Sequence, residues 1–249
     1  MLHTRIAPLL FVAAFSVIAT AARADPHLLT PTNQSQLEAW LGVGPQQFTE
    51  IFSAVNGDGK TAEDFNAAAD FKGATFTLAS VNRGGNTYLI GGYDPVSWNG
   101  TLGDWIEATT TATQTAFIFN LTSDTIQREN HNVTGDPQTF DYSGIGPTWG
   151  LNFDLTFGDY TGILPDTLNY GSTFNYSYGG TFGTDILGDP DEFTPLHGGI
   201  YNPFTVNGLD VYTFAPVVTG GVPDNGATAA MLGAAVMGLS FFCPRRKLS

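Results

Sequence analysis

The sequence predicts an α+β fold: an antiparallel β-sandwich core preceded by short N-terminal helices. Three observations carry this. Apolar residues recur at helical spacing as far as about residue 70, and from Ala74 the period changes to two. Beyond that point, clusters of Gly, Asn, Asp and Pro separate short apolar runs at strand length. With 30 Gly, 14 Pro and an aromatic fraction of 13% in 249 residues, the composition fits one turn-rich β domain flanked by terminal segments.

The helical lead-in starts with Leu37, Trp40 and Leu41 on one face of a first helix. Pro45 is placed to open a second, in which Phe48, Ile51, Phe52 and Val55 fall at i, i+3, i+4 and i+7. Asn56-Gly57-Asp58-Gly59 ends it. Thr61 caps a short third helix to about Asp70, with Asp64 at the reciprocal position of a capping box. In the strand region, Thr75, Thr77 and Ala79 alternate with Phe76, Leu78 and, after one slip, Val81. Asn82-Arg83-Gly84-Gly85-Asn86 has hairpin chemistry and leads into Thr87 to Gly91. Further strands are expected at Gln114 to Leu121, Thr148 to Phe157, Phe174 to Tyr178 and Leu209 to Phe214, which gives three helices followed by many strands. The Thr-rich segment from Thr109 to Thr115 reads equally as a loop or a strand edge.

Both ends read as addresses. His3 and Arg5 precede an apolar run from Ile6 to Ala19, and Ala22-Arg23-Ala24 supplies the small-x-small pattern of a signal peptidase site, with cleavage before Asp25. Residues 1–24 are therefore a signal peptide that engages the export machinery, and 25–36 a linker to a domain at 37–216. At the other end, Val222-Pro223-Asp224 and Gly226 lead into an apolar, Gly- and Ala-rich stretch from Ala227 to Cys243, closed by Arg245, Arg246 and Lys247. Such a stretch just reaches across a bilayer, with its basic end cytoplasmic. Segment 217–249 resembles a PEP-CTERM sorting signal of Gram-negative bacteria in its VPD variant. That resemblance implies an exosortase-type sorting protease as partner, and transfer from an inner-membrane-tethered precursor to the envelope or the extracellular matrix. A plain C-terminal membrane anchor has the same physics.

The body resembles a TLDc domain, the module of the oxidation-resistance proteins, in the order of its motifs. Trp40-Leu41, the Asn56 to Gly59 turn, Phe65 through Asp70, and Gly73 through Leu78 follow the opening pattern. Ile90-Gly91-Gly92-Tyr93 with Ser97-Trp98, Ala116 through Leu121, Gly146 through Gly150 with Asp154-Leu155, and Leu209 through Tyr212 follow in turn. Asn66 and Ala69 stand where the family often has His and Cys, and Ala74 where Pro is common, so chemistry proposed at those family positions is lost here. The stretches from Asp124 to Asp141 and from Gly158 to Pro203 fit less well and read as looped insertions. The resemblance implies a role in protein interaction or oxidative-stress protection.

Charge and motif content exclude several classes. Of nine bases, only Lys60, Lys72, Arg83 and Arg128 lie between Asp25 and Gly221, against 22 acids. Such a body is repelled by phosphate, so nucleic acid is excluded as a partner. The single cysteine, Cys243, is in the tail and no ligand cluster appears in the sequence, so the body is expected to fold without disulfide, metal or cofactor. No nucleophile elbow, phosphate loop, zinc-helix or dinucleotide motif is present, so no catalytic residue is assigned. His27, His131 and His197 are scattered and read as surface or packing residues. The turn at Asn56 to Gly59 is no EF-hand, because Ala54 and Phe65 would occupy ligand positions. Asp185, Asp189, Asp191 and Glu192 form an acidic cluster that reads first as a solvated loop and second as a weak calcium site. Gly91-Gly92 suits close backbone packing, with Tyr93 and Trp98 closing a sandwich edge or, as a lesser alternative, binding a ligand. The competing class for the whole chain is a secreted exopolysaccharide-binding or glycan-cleaving sandwich.

Overall fold

The computed structural model describes residues 27–108, 110, 112–129, 137–151, 153–158, 168–174, 176–179, 184–188 and 202–218. These residues are mostly β: one large antiparallel sheet of eleven strands with two short helices. The expected signal peptide with its expected cleavage residues Ala22, Ala24 and Asp25, and the expected sorting residues Val222, Pro223, Asp224, Gly226, Arg245, Arg246 and Lys247, lie outside the described residues.

Helix α1 (Pro31–Leu41) begins with Thr30 accepting from the Asn33 N–H, has Pro at its start, and ends on Gly42 in the left-handed region. Helix α2 (Ala62–Ala69) carries the expected capping box between Thr61 and Asp64. The second expected helix is a strand, β1 (Gln46–Val55). Its helical spacing comes from a β-bulge: Glu50 pairs with Tyr212 and Phe52 with Val211, leaving Ile51 as the extra residue. An extra residue shifts the phase of a period of two, so a strand touching core on both faces imitates i, i+3, i+4, i+7.

The expected hairpin is formed by β2 (Thr75–Arg83) and β3 (Asn86–Asp94), with Arg83 opposite Asn86 across Gly84-Gly85. β4 (Asp104–Glu107), β5 (Phe117–Asn120), β6 (Thr125–Arg128) and β7 (Pro137–Asp141) follow. β6 and β7 therefore lie inside a stretch expected to be a looped insertion. The expected strand from Thr148 to Phe157 is two short ones, β8 (Thr148–Trp149) and β9 (Leu155–Phe157), divided by a turn in which Gly150 and Phe153 have positive φ. β10 (Tyr170–Thr173) precedes the expected strand at Phe174 to Tyr178. That segment forms no ladder because the buried Asp154 carboxylate takes the N–H groups of Tyr176, Ser177 and Tyr178. Among its described residues an isolated bridge from Tyr178 to Glu129 remains.

β11 (Pro203–Pro216) is longer than expected and organises the sheet. One edge pairs with β2; the other is shared, with β10 alongside Pro203 to Thr205 and β1 alongside Gly208 to Pro216. The sheet order is β4-β7-β8-β9-β10-β11-β2-β3-β5-β6. Its two limbs touch across the larger core, where Trp149 of β8 donates its indole N–H to the Tyr93 carbonyl of β3 at 3.1 Å and packs edge-on against Trp98. A smaller cluster on the opposite face gathers Leu37, Phe76, Leu78, Phe117, Phe119 and Tyr212, covered by Leu28, Leu29 and Trp40. Because β2 buries both faces, its period of two appears only in which core each residue enters.

Candidate functional site

Three groupings of polar side chains merit comparison. The first surrounds the turn after β3. Asp94 accepts from the Val96 N–H at 2.9 Å, Asp141 from the Asn99 N–H at 2.9 Å, and Asp70 from the Gly100 N–H at 3.1 Å. Three carboxylates, from the C-cap of α2, from β3 and from β7, thus grip one turn by its backbone. Asp94 Oδ2 and Asp141 Oδ1 are buried and have no hydrogen-bond partner. Burial pushes the Asp94 carboxyl well above the usual range, against the pull of the Val96 N–H and with Asp141 adding to the rise. Burial likewise pushes Asp141 up to about 7, eased by the Asn99 N–H and reinforced by Asp70. Both carboxyls are buried, which keeps the pair from any polymeric substrate.

The side chains of Val96 and Leu102, on this turn and just after it, are exposed, as are those of Phe71 and Tyr142. Phe71 is 71% exposed, has a left-handed φ of 60°, and donates its N–H to the Trp98 carbonyl. Trp98 itself is buried, its indole bonded to Thr75 Oγ1 at 2.8 Å, and Tyr93 packs on Phe76 and Phe117. The sequence-singled aromatics therefore fill the core, while the exposed rings are ones the motif reading passed over.

The second grouping is Asp185, which is not the solvated residue expected. It is buried, paired with Arg83 at 3.2 Å, and accepts from Thr173 Oγ1 at 2.6 Å, Asn202 Nδ2 at 2.9 Å and the Leu187 N–H at 2.9 Å. It ties the β2 end to β10 and β11. Asp189, Asp191 and Glu192 lie outside the described residues, as do His131 and His197.

The third lies on the β1–β11 pair. The bulge at Ile51 brings Glu50 and Ser53, opposite Tyr212 and Asp210 respectively, onto the same face of the pair. Asp210 is 4% exposed and accepts from Ser53 Oγ at 2.8 Å, the Leu28 N–H at 2.9 Å and Tyr212 Oη at 3.0 Å. His27 reaches the same place, its Nδ1 at 2.8 Å from Glu50 Oε2. The Tyr212 hydroxyl also donates to Glu50 Oε2, at 3.4 Å. Burial first, then the Asp210 charge, raises the Tyr212 phenol, so it stays a protonated donor. Sequence reasoning missed this site because its members are separated by 23 and 160 or more positions and converge only through the misread strand.

No family model matches the chain. No curated protein matches it either.

Proposed function

We propose that this is an exported, non-catalytic bacterial protein of TLDc-like sandwich architecture, sorted to the cell envelope or extracellular matrix. There it acts through protein interaction, with oxidative-stress protection as the role the resemblance implies. The observation that carries this reading is the order of elements at the C-terminus: Val222-Pro223-Asp224 with Gly226, an apolar small-residue stretch, then Arg245-Arg246-Lys247. A permanent anchor would gain from more Leu and Ile than this stretch has. The sandwich reading is supported by the two limbs that meet at Trp149 and Tyr93. The processing reading is supported by where sheet pairing stops: β11 ends at Pro216, and the Val217 N–H bonds the Pro45 carbonyl at 3.0 Å. The cut sites read from the sequence therefore flank the described sheet instead of interrupting it.

Terminal sequencing and intact mass of the protein recovered outside the cytoplasm test this reading. The expected N-terminus is Asp25, with a C-terminus near Val222; a chain beginning at Met1 would contradict it. A second reading, binding of exopolysaccharide, is favoured by the exposed aromatic rings of Phe71 and Tyr142. Retention on matrix polysaccharide that is lost in a Phe71→Ala, Tyr142→Ala double variant would favour that reading.

A further inference from the structure

We propose that His27, Glu50 and Asp210 form a binding site for a divalent transition-metal ion of the zinc type. Each offers one ligand atom, and these atoms lie within 4.8 Å of one another. Around a tetrahedral zinc with bonds of about 2.0–2.2 Å, neighbouring ligand atoms stand roughly 3.3 Å apart. Small side-chain adjustments of the two exposed residues reach that geometry.

The site is held in place around its buried member. Asp210 is fixed by three donors from three places: a side chain on β1, a backbone N–H in the N-terminal segment, and the Tyr212 phenol two residues along its own strand. Donors to a ligating carboxylate orient it and tune its affinity. The Tyr212 hydroxyl, 3.0 Å from Asp210 Oδ2 and 3.4 Å from Glu50 Oε2, is the positioning residue that orients the buried carboxylate. Glu50 faces this group only because the bulge sets its phase against Ser53. A surface pair of His27 with Glu50 would need neither the buried Asp210 nor Tyr212.

The donor set selects the class of ion. One imidazole and two carboxylates suit zinc and its neighbours, whereas calcium asks for six to eight oxygens and magnesium for an octahedral oxygen shell. His27 and Glu50 face solvent, so a water completes the fourth position, the arrangement of three protein ligands with one open site. Two carboxylates against one dication leave the site near neutral in a strongly acidic body. Metal there would clamp the segment at His27 to Leu29 onto β1 and β11.

The test is calorimetric titration of the purified exported protein with zinc chloride in buffer cleared of chelator, with thermal melts alongside. One ion per chain and a rise in Tm on zinc addition are expected. His27→Ala, on an exposed residue, is expected to keep the metal-free melt and lose at least about tenfold in affinity, and Glu50→Gln to do the same. Tyr212→Phe should weaken binding with unchanged stoichiometry, and the His131→Ala, His197→Ala pair should leave it intact. An absence of saturable binding, equal affinity in His27→Ala and wild type, or equal competition by calcium would overturn the proposal.

Discussion

Gly92 shows how a single missing side chain sets the distance between the two limbs of the sheet. A Cβ placed there would stand 2.4 Å from the Trp149 ring. Neither partner can retreat: Gly92 is paired on one side to Thr77 and on the other to Ile118, and Trp149 is pinned by its bond to the Tyr93 carbonyl. Overpacking a filled core costs about 1–3 kcal/mol, and a clash against ring and ladder together belongs at the upper end. Gly92→Ala is therefore expected to lose about 3 kcal/mol in denaturant unfolding. Trp149→Phe in the same background should lower that coupling in a double-mutant cycle. The expectation that Gly91-Gly92 serves close packing was legible because two adjacent glycines inside a β pattern have few other uses. What they pack against was not, since Trp149 lies 57 positions away and on the opposite limb.

At the scale of elements, signals confined to a few neighbouring residues were legible and signals completed across the sheet were not. The capping box of α2 and the Gly84-Gly85 hairpin each close within five residues, so residue type alone specifies them. β1 fails that condition: its bulge is defined against Tyr212 and Val211, and in isolation its phase shift is the signature of a helix. The segment at Phe174 to Tyr178 fails for another reason. Its alternation suits a strand, but Asp154 captures the N–H groups a ladder would use, and a side chain 22 residues upstream leaves no trace in local composition. The candidate metal site inherits both difficulties, because it depends on the bulge and on contacts between the first and last described strands. β4, β6 and β7 were missed as strands of four or five residues, too short for periodicity to stand out.

For the molecule as a whole, buried acids make stability depend on pH in a fixed direction. Asp94, Asp141 and Asp154 have their carboxyls raised by burial, Asp141 and Asp154 to about 7. Between the ordinary carboxylate range and about pH 7 the folded chain holds protons that the unfolded chain has released, so stability falls as pH rises through that window. Tm is accordingly expected to be higher at pH 5 than at pH 8, with the difference reduced in Asp141→Asn. A flat profile in both proteins would contradict the buried-acid account. The low ratio of bases to acids in the body acts in the same direction, since protonation relieves self-repulsion.

The exported, sorted state is the central claim, and it rests on the tail acting as a recognition element rather than as an anchor. Its most direct test is fractionation of cells carrying an epitope near Asp25, comparing wild type with a Pro223→Ala, Asp224→Ala double variant and with Arg245, Arg246 and Lys247 neutralised. The double variant leaves the apolar stretch and the basic end intact, so insertion should proceed while the full-length chain stays trapped at the inner membrane. Neutralising the basic end should instead disturb orientation, through loss of the positive-inside signal. Wild type is expected as a shorter form in the envelope or medium. A double variant shortened and released like wild type would contradict the sorting claim and leave a simple membrane anchor as the better account.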